Sequence, residues 1–154
     1  MVRICRWVLL GLIYLTITFN TFNTPAFAQQ FMNPQDIRIL IEQARDAWVT
    51  QDVDAIAQLF TEDGELILPG QRWQGKEKIR EELIHFSQQY SDVKIEIHRM
   101  IIQGDQAAVE WYYEDTEKAT GHRNKADDVI VIDFQDDLIS SWREYFDTQT
   151  PVTR

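Results

Sequence analysis

The chain has 154 residues and carries 25 acidic against 15 basic side chains, a formal charge of -10. So acidic a surface repels a phosphate backbone, which argues against nucleic acid as a partner. One cysteine among 154 residues leaves no pair for an intrachain disulfide, so packing alone has to hold the core.

Arg3 and Arg6 precede an apolar stretch from Trp7 to Phe19, and a polar segment then leads to Pro25-Ala26-Phe27-Ala28. This is the pattern of a secretory signal peptide: a basic start, a short apolar core and a small-x-small cleavage site. The apolar core is shorter than the roughly 20 residues of a membrane span. Cleavage after Ala28 is expected, with export to a periplasmic or secreted location and no stable membrane anchor afterwards. Cys5 lies ahead of the apolar core, where lipid is not attached, and leaves with the leader. The remaining 126 residues carry 13 basic and 25 acidic side chains, a charge of -12, and suffice for one domain. Residues 29–34 read as a short lead, 35–148 as the domain and 149–154 as a tail.

Asn33-Pro34 opens a helical pattern in which Ile37, Leu40, Ile41, Ala44, Ala47 and Trp48 recur at spacings of three and four. Asp52 caps a second, shorter helix with Ile56, Leu59 and Phe60 on one side, and Glu62-Asp63-Gly64 is expected to stop it. Glu65 to Leu68 forms a short strand closed by Pro69-Gly70, and Gly75 precedes a third helix bearing Ile79, Leu83, Phe86 and Tyr90. From Val93 the period drops to two: Val93, Ile95 and Ile97 alternate with Lys94, Glu96 and His98. Gly104-Asp105, the region of Gly121 and Asp136-Asp137 then separate strands over 107–116, 124–134 and 138–147. Helices first and strands afterwards imply an α+β domain in which three N-terminal helices pack on one face of a curved, mainly antiparallel sheet.

The last strand, ending Trp142-Arg143-Glu144-Tyr145-Phe146-Asp147, sets Glu144 between Trp142 and Phe146 on one face. Burial among aromatics raises a carboxyl pKa toward neutrality, as a general acid or base requires. His85, His98 and His122 lie apart, without the spacing of a metal motif, and no phosphate loop or nucleophile elbow occurs. The expectation is no metal and no cofactor. The acidic stretch from Asp115 to Asp128 reads as a solvated hairpin.

The element order, with Asp52-Val53-Asp54, Leu59-Phe60-Thr61-Glu62-Asp63-Gly64, Gly75-Lys76-Glu77-Lys78-Ile79 and the final Trp-Arg-Glu-Tyr-Phe-Asp run, resembles the SnoaL-like branch of the nuclear transport factor 2-like superfamily. The resemblance implies a cone-shaped cavity lined by Leu66, Leu68, Trp111, Tyr113, Asp115, Ala126, Asp128, Ile130, Trp142, Glu144 and Phe146. It implies a homodimer as well, because Trp111, Tyr112 and Tyr113 place large residues on both faces of one strand. An extra residue in any strand would swap these faces.

The superfamily's epoxide hydrolases use Asp, Arg and Asp, but the resemblance puts Trp111 and Tyr113 in the middle of that arrangement and Glu144 at its end. Its ketosteroid isomerases place an Asp base before the proline that ends the first strand and a Tyr in the first helix; here stand Leu68 and Ala44. A cyclase-like proton abstraction would fall to Asp128, Glu144 or Asp115, and Asp128 and Glu144 are the candidate catalytic residues. His122 and Asn124 share a face with Asp128 and are its expected partners. The first expectation is therefore an apolar cavity for a small hydrophobic molecule, without established catalysis. The alternatives are a lyase, isomerase or hydrolase using Asp128 or Glu144, and a homodimeric assembly module.

Overall fold

The computed structural model describes residues 31–146, so the expected leader, the expected tail and Asp147 lie outside the described residues. Two helices come first, α1 (Pro34–Thr50) and α2 (Val53–Gln58), followed by a hairpin of β1 (Phe60–Leu68) and β2 (Gln71–Gln74) and then by α3 (Lys76–Gln89). The chain finishes as a meander of β3 (Tyr90–Gln103), β4 (Gln106–Glu117), β5 (Arg123–Gln135) and β6 (Leu138–Tyr145). All six strands join one sheet in the order β2-β1-β6-β5-β4-β3. The pairing is antiparallel except between β1 and β6, which run parallel, so the sheet is mixed at a single joint.

Helix ends follow the local chemistry. Asn33 accepts the amide of Gln35 at 2.8 Å, and Pro34 occupies the first turn, where an amide would have no partner. Gln51, at φ 54°, takes the left-handed conformation that closes α1. Asp52 then accepts the amide of Ala55 at 3.0 Å and starts α2. Asp52→Ala is expected to lower stability by about 1 kcal/mol in urea unfolding; an unchanged midpoint would mean that packing of Ile56 alone holds α2.

The helices cover one face of the sheet. α1 buries Ile37, Ile41, Ala44, Ala47 and Trp48 and lies on β3, while α3 buries Ile79 and Leu83 and lies on β1, with α2 against both α3 and β1. Trp48 meets Phe86 edge-on at 5.7 Å between ring centroids, and Phe86 stacks on Tyr90 at 4.9 Å. The buried residues of α1 and α3, with Phe86 packed against them, share a single core with Leu66, Val109, Ile130, Ile132 and Trp142 of the concave face.

Three local expectations are corrected. Glu62-Asp63-Gly64 does not stop α2, which ends at Gln58; these residues lie inside β1, where the register with β6 shifts between Phe60 and Glu65. A β-carbon at Gly64 would sit 3.1 Å from the carbonyl oxygens of Thr61 and Ile139, so this glycine serves close strand approach. Tyr90 opens β3 in extended conformation instead of continuing α3. Residues 71–74, assigned to no element from the sequence, form β2 and pair with β1 from Leu68↔Gln71 to Glu65↔Gln74.

The opposite face of the sheet is charged. Tyr112 is nonetheless buried there: its hydroxyl donates to Glu114, and the Lys94 ammonium lies 5.9 Å from its ring centroid. Glu114 also pairs with Arg123 and, at 3.5 Å, with Lys125; the hydrogen bonds from Tyr112 and Arg123 hold its carboxyl down at about 2. Val129 and Tyr145 are exposed on this side. Among the described residues no helix is long and apolar enough to cross a membrane.

Candidate functional site

The pairing of β4 with β5 runs without a shift from Gln106↔Asp133 to Thr116↔Arg123, so side chains alternate regularly across the middle of the sheet. Trp111 stands opposite Asp128, Tyr113 opposite Ala126 and Asp115 opposite Asn124. On the other side of β5, Ile130 faces Glu144 and Ile132 faces Trp142, which in turn faces Leu66 of β1. Leu66, Trp111, Asp115, Asp128, Ile130 and Trp142 are buried, and Leu68, Tyr113, Ala126, Glu144 and Phe146 are partly buried. The strand pairing thus gathers the residues of β1, β4, β5 and β6 on the concave face. Val129↔Tyr145 is the last pair of β5 and β6 before Phe146, so Asp128 lies diagonally across from Glu144.

Each of these two carboxyls is held by an indole. Trp111 Nε1 donates to Asp128 Oδ2 at 3.1 Å, and Trp142 Nε1 donates to Glu144 Oε1 at 2.7 Å. The two rings pack on each other, 5.4 Å between centroids and tilted by 51°. Asp128 therefore does not pair with His122 or Asn124. His122 lies exposed at the end of the hairpin, and Asn124 Nδ2 donates instead to Asp115 Oδ1 at 2.7 Å. Asp115 also accepts the Tyr113 hydroxyl at 2.8 Å, so both of its oxygens are satisfied. Nor is the stretch from Asp115 to Asp128 solvated throughout, since Asp115 is 4% and Asp128 5% exposed. Residues 118–123 of its tip are exposed, as are Lys125 and Asp127 on the opposite face of β5.

Among the described residues, Asp128 Oδ1 is buried with no hydrogen-bond partner. Burial raises the Asp128 carboxyl to about 6, partly offset by the Trp111 N–H and reinforced by neighbouring Asp127. Burial raises Glu144 further, to about 8; the Trp142 N–H opposes the shift and the charge of Asp128 adds to it. The Tyr113 hydroxyl is also pushed up, first by burial and then by Asp115. Arg143, next to Glu144 in sequence, projects to the opposite side, where Tyr145, Glu65 and Asp133 are its electrostatic neighbours. It does not neutralise Glu144.

Glu144 opens onto a groove of about 490 Å³ at the end of β6, lined also by Ile67, Leu68, Pro69, Asp127, Arg143, Tyr145 and Phe146; Asp128 lies behind this lining. Ile67, Pro69 and Tyr145 were not foreseen as lining because alternation assigns Ile67 and Tyr145 to the far face. The groove wraps around the strand end and draws on both faces. Asn124 was missed as the partner of Asp115, although its place on the same face was the available signal.

The sequence profile of the SnoaL-like domain matches residues 41–142. The chain belongs to the SnoaL-like domain family. This family membership covers α1 from Ile41 through β6 to Trp142, and so includes both indoles. No curated protein matches the chain. Solved structures share its fold. A protein of ketosteroid isomerase-like fold from Catenulispora acidiphila DSM 44928, in complex with trimethylamine, is 18% identical; the match covers 76% of this chain and 88% of that one, with a TM-score of 0.67. An LEH-like epoxide hydrolase of M. tuberculosis is 20% identical over 73% of this chain and 84% of its own, with a TM-score of 0.66. An NTF2-like protein from Burkholderia pseudomallei K96243 is 14% identical over 76% and 93%, with a TM-score of 0.68. At these identities the likeness concerns the fold, helices packed on a curved mixed sheet, and different chemistries share that fold.

Proposed function

We propose that this SnoaL-like domain is an exported binding protein that takes a small, largely apolar molecule into the groove at the end of β6 and fixes its polar end on Glu144 and Asp128. The observation that carries this reading is a buried carboxyl with a bare oxygen, Asp128 Oδ1, diagonally beside a carboxyl that opens onto an apolar groove. Ligand sites are built this way, mostly apolar with a few convergent polar groups. Export is supported by the leader pattern of residues 1–28. A homodimer is supported by exposed Val129 and Tyr145 on the sheet face away from the helices.

Native mass spectrometry of the chain purified from its producing cells tests all three parts at once. The expected species is a dimer whose subunits lack residues 1–28 and retain a small molecule. A subunit mass that includes the leader would remove export, a monomer would remove the dimer, and an empty protein would remove the binding function.

One observation favours chemistry at the same site. With Asp128 near 6 and Glu144 near 8, the first is mostly ionised and the second mostly protonated at pH 7, so one can accept a proton while the other donates. In that case the retained molecule would be converted, and both Asp128→Asn and Glu144→Gln would abolish turnover while preserving the fold. Turnover unchanged in both variants would end the catalytic reading.

A further inference from the structure

Resting on the binding function proposed above and narrowing it, we propose that the ligand is a lipophilic amine, bound as its ammonium ion between Asp128 and Glu144 with its apolar body in the groove against Leu68 and Phe146. The first reason is the charge inventory of the concave face. Its ionisable side chains are Asp115 and Tyr113 on β4, Asp128 on β5 and Glu144 on β6, every one an acid. Among the described residues no cation balances them. Arg143 leaves β6 on the opposite face and reaches only the far wall of the groove, Lys94 lies over Tyr112, and Arg123 and Lys125 are paired with Glu114 on the opposite face. The helices present apolar groups toward the sheet, Ile37, Ile41 and Trp48 from α1 and Ile79 and Leu83 from α3.

The second reason is unequal satisfaction. Asp115 has a donor on each oxygen, whereas Asp128 has one indole and a buried oxygen with no partner among the described residues. A donor supplied by the ligand completes it, and a buried carboxylate gains most from a donor that carries charge. An alcohol would fill the hydrogen bond but bring no charge to the Asp128 carboxylate, leaving Glu144 protonated. An ammonium satisfies the bare oxygen and offsets the second negative charge that appears when Glu144 gives up its proton. An anionic head group placed between Asp128 and Glu144 meets repulsion there, since Arg143 belongs to the opposite face of β6. Inorganic cations fit less well, because no group of three or more His, Cys, Asp or Glu among the described residues is placed to hold a metal ion. The groove, about 490 Å³ with aliphatic and aromatic walls, suits an organic body.

Titration calorimetry of the full chain at pH 7 with phenethylamine, phenethyl alcohol and phenylacetate, which share one apolar body, separates the charge classes. Phenethylamine is expected to bind at least roughly tenfold more tightly than phenethyl alcohol, the size of one charge-assisted hydrogen bond. Phenylacetate should bind most weakly. Repeating the amine titration in buffers of different ionisation enthalpy should reveal release of about one proton, supplied by Glu144 as it ionises against the ammonium. Glu144→Gln should abolish that release, and Asp128→Asn should remove the preference for amine over alcohol. Should Asp128→Asn fail to fold, proton release by the wild type still carries the test. If the alcohol binds as tightly as the amine, the charge class is wrong while binding stands. If none of the three compounds binds, both proposals fall.

Discussion

Glu144→Gln is expected to melt above the wild type at pH 9 and alongside it at pH 5. The Glu144 carboxyl moves from an ordinary 4.5 to about 8 on folding, chiefly because it is buried. Its folded form therefore binds the proton more tightly than its unfolded form. Such a group costs nothing below about pH 4, where both states are protonated, and destabilises progressively as the pH rises through 8. Each tenfold difference in proton affinity between the two states is worth about 1.4 kcal/mol, so the penalty reaches a few kcal/mol, shared with Asp128 because the two charges interact. Glutamine keeps the oxygen that accepts from Trp142 and never ionises. The difference in melting temperature at pH 9 should exceed about 5 °C, given the usual conversion between free energy and midpoint for a domain of this size. Parallel melting curves for the two proteins from pH 5 to pH 9 would show that Glu144 is solvated in the folded state.

Replacing Trp142 should have the largest effect on stability of any single change in the cup. Its side chain is 1% exposed, packs against Trp111 at 5.4 Å and donates to Glu144. Trp142→Ala leaves a cavity in the core and should cost about 3–5 kcal/mol in denaturant unfolding. Trp142→Phe separates the two roles. It retains most of the ring volume, so its cost at pH 5 should be well below that of alanine, but it removes the N–H that holds down the Glu144 carboxyl. The loss of stability with rising pH should therefore be deeper in the Phe variant and continue to a higher pH. If the Phe variant loses stability equally at every pH, the indole N–H has no electrostatic role and Trp142 acts by volume alone.

The concave face could be read from the sequence because β4 and β5 carry no bulge between Gln106 and Asp133. Strict alternation then puts Trp111, Tyr113, Asp115, Ala126, Asp128 and Ile130 on one side regardless of how the strands pair. Pairing itself was less accessible. A residue's opposite number depends on where the hairpin turns, and the β4–β5 loop is centred ahead of Gly121, which aligns Trp111 rather than a residue of the loop with Asp128. Periodicity reports a face; it does not report register. β2 carries no periodic signal for a related reason: Gln71-Arg72-Trp73-Gln74 has one apolar residue, and its strand character comes from backbone pairing with β1. The Glu62-Asp63-Gly64 sequence looked like a helix stop because acidic residues and glycine disfavour both helices and strands, and here tertiary pairing with β6 outweighed that preference.

Among the described residues β6 is the last strand in chain order, yet it lies inside the sheet, with β1 on one side and β5 on the other. Until residues 138–145 leave the ribosome, β1 and β2 have only each other, and β3, β4 and β5 form a separate half-sheet. β1 accepts β6 in a parallel arrangement, which a tight hairpin cannot supply. The joint between the halves also carries Trp142 and Glu144, so the concave cup comes into being in the same event that completes the sheet.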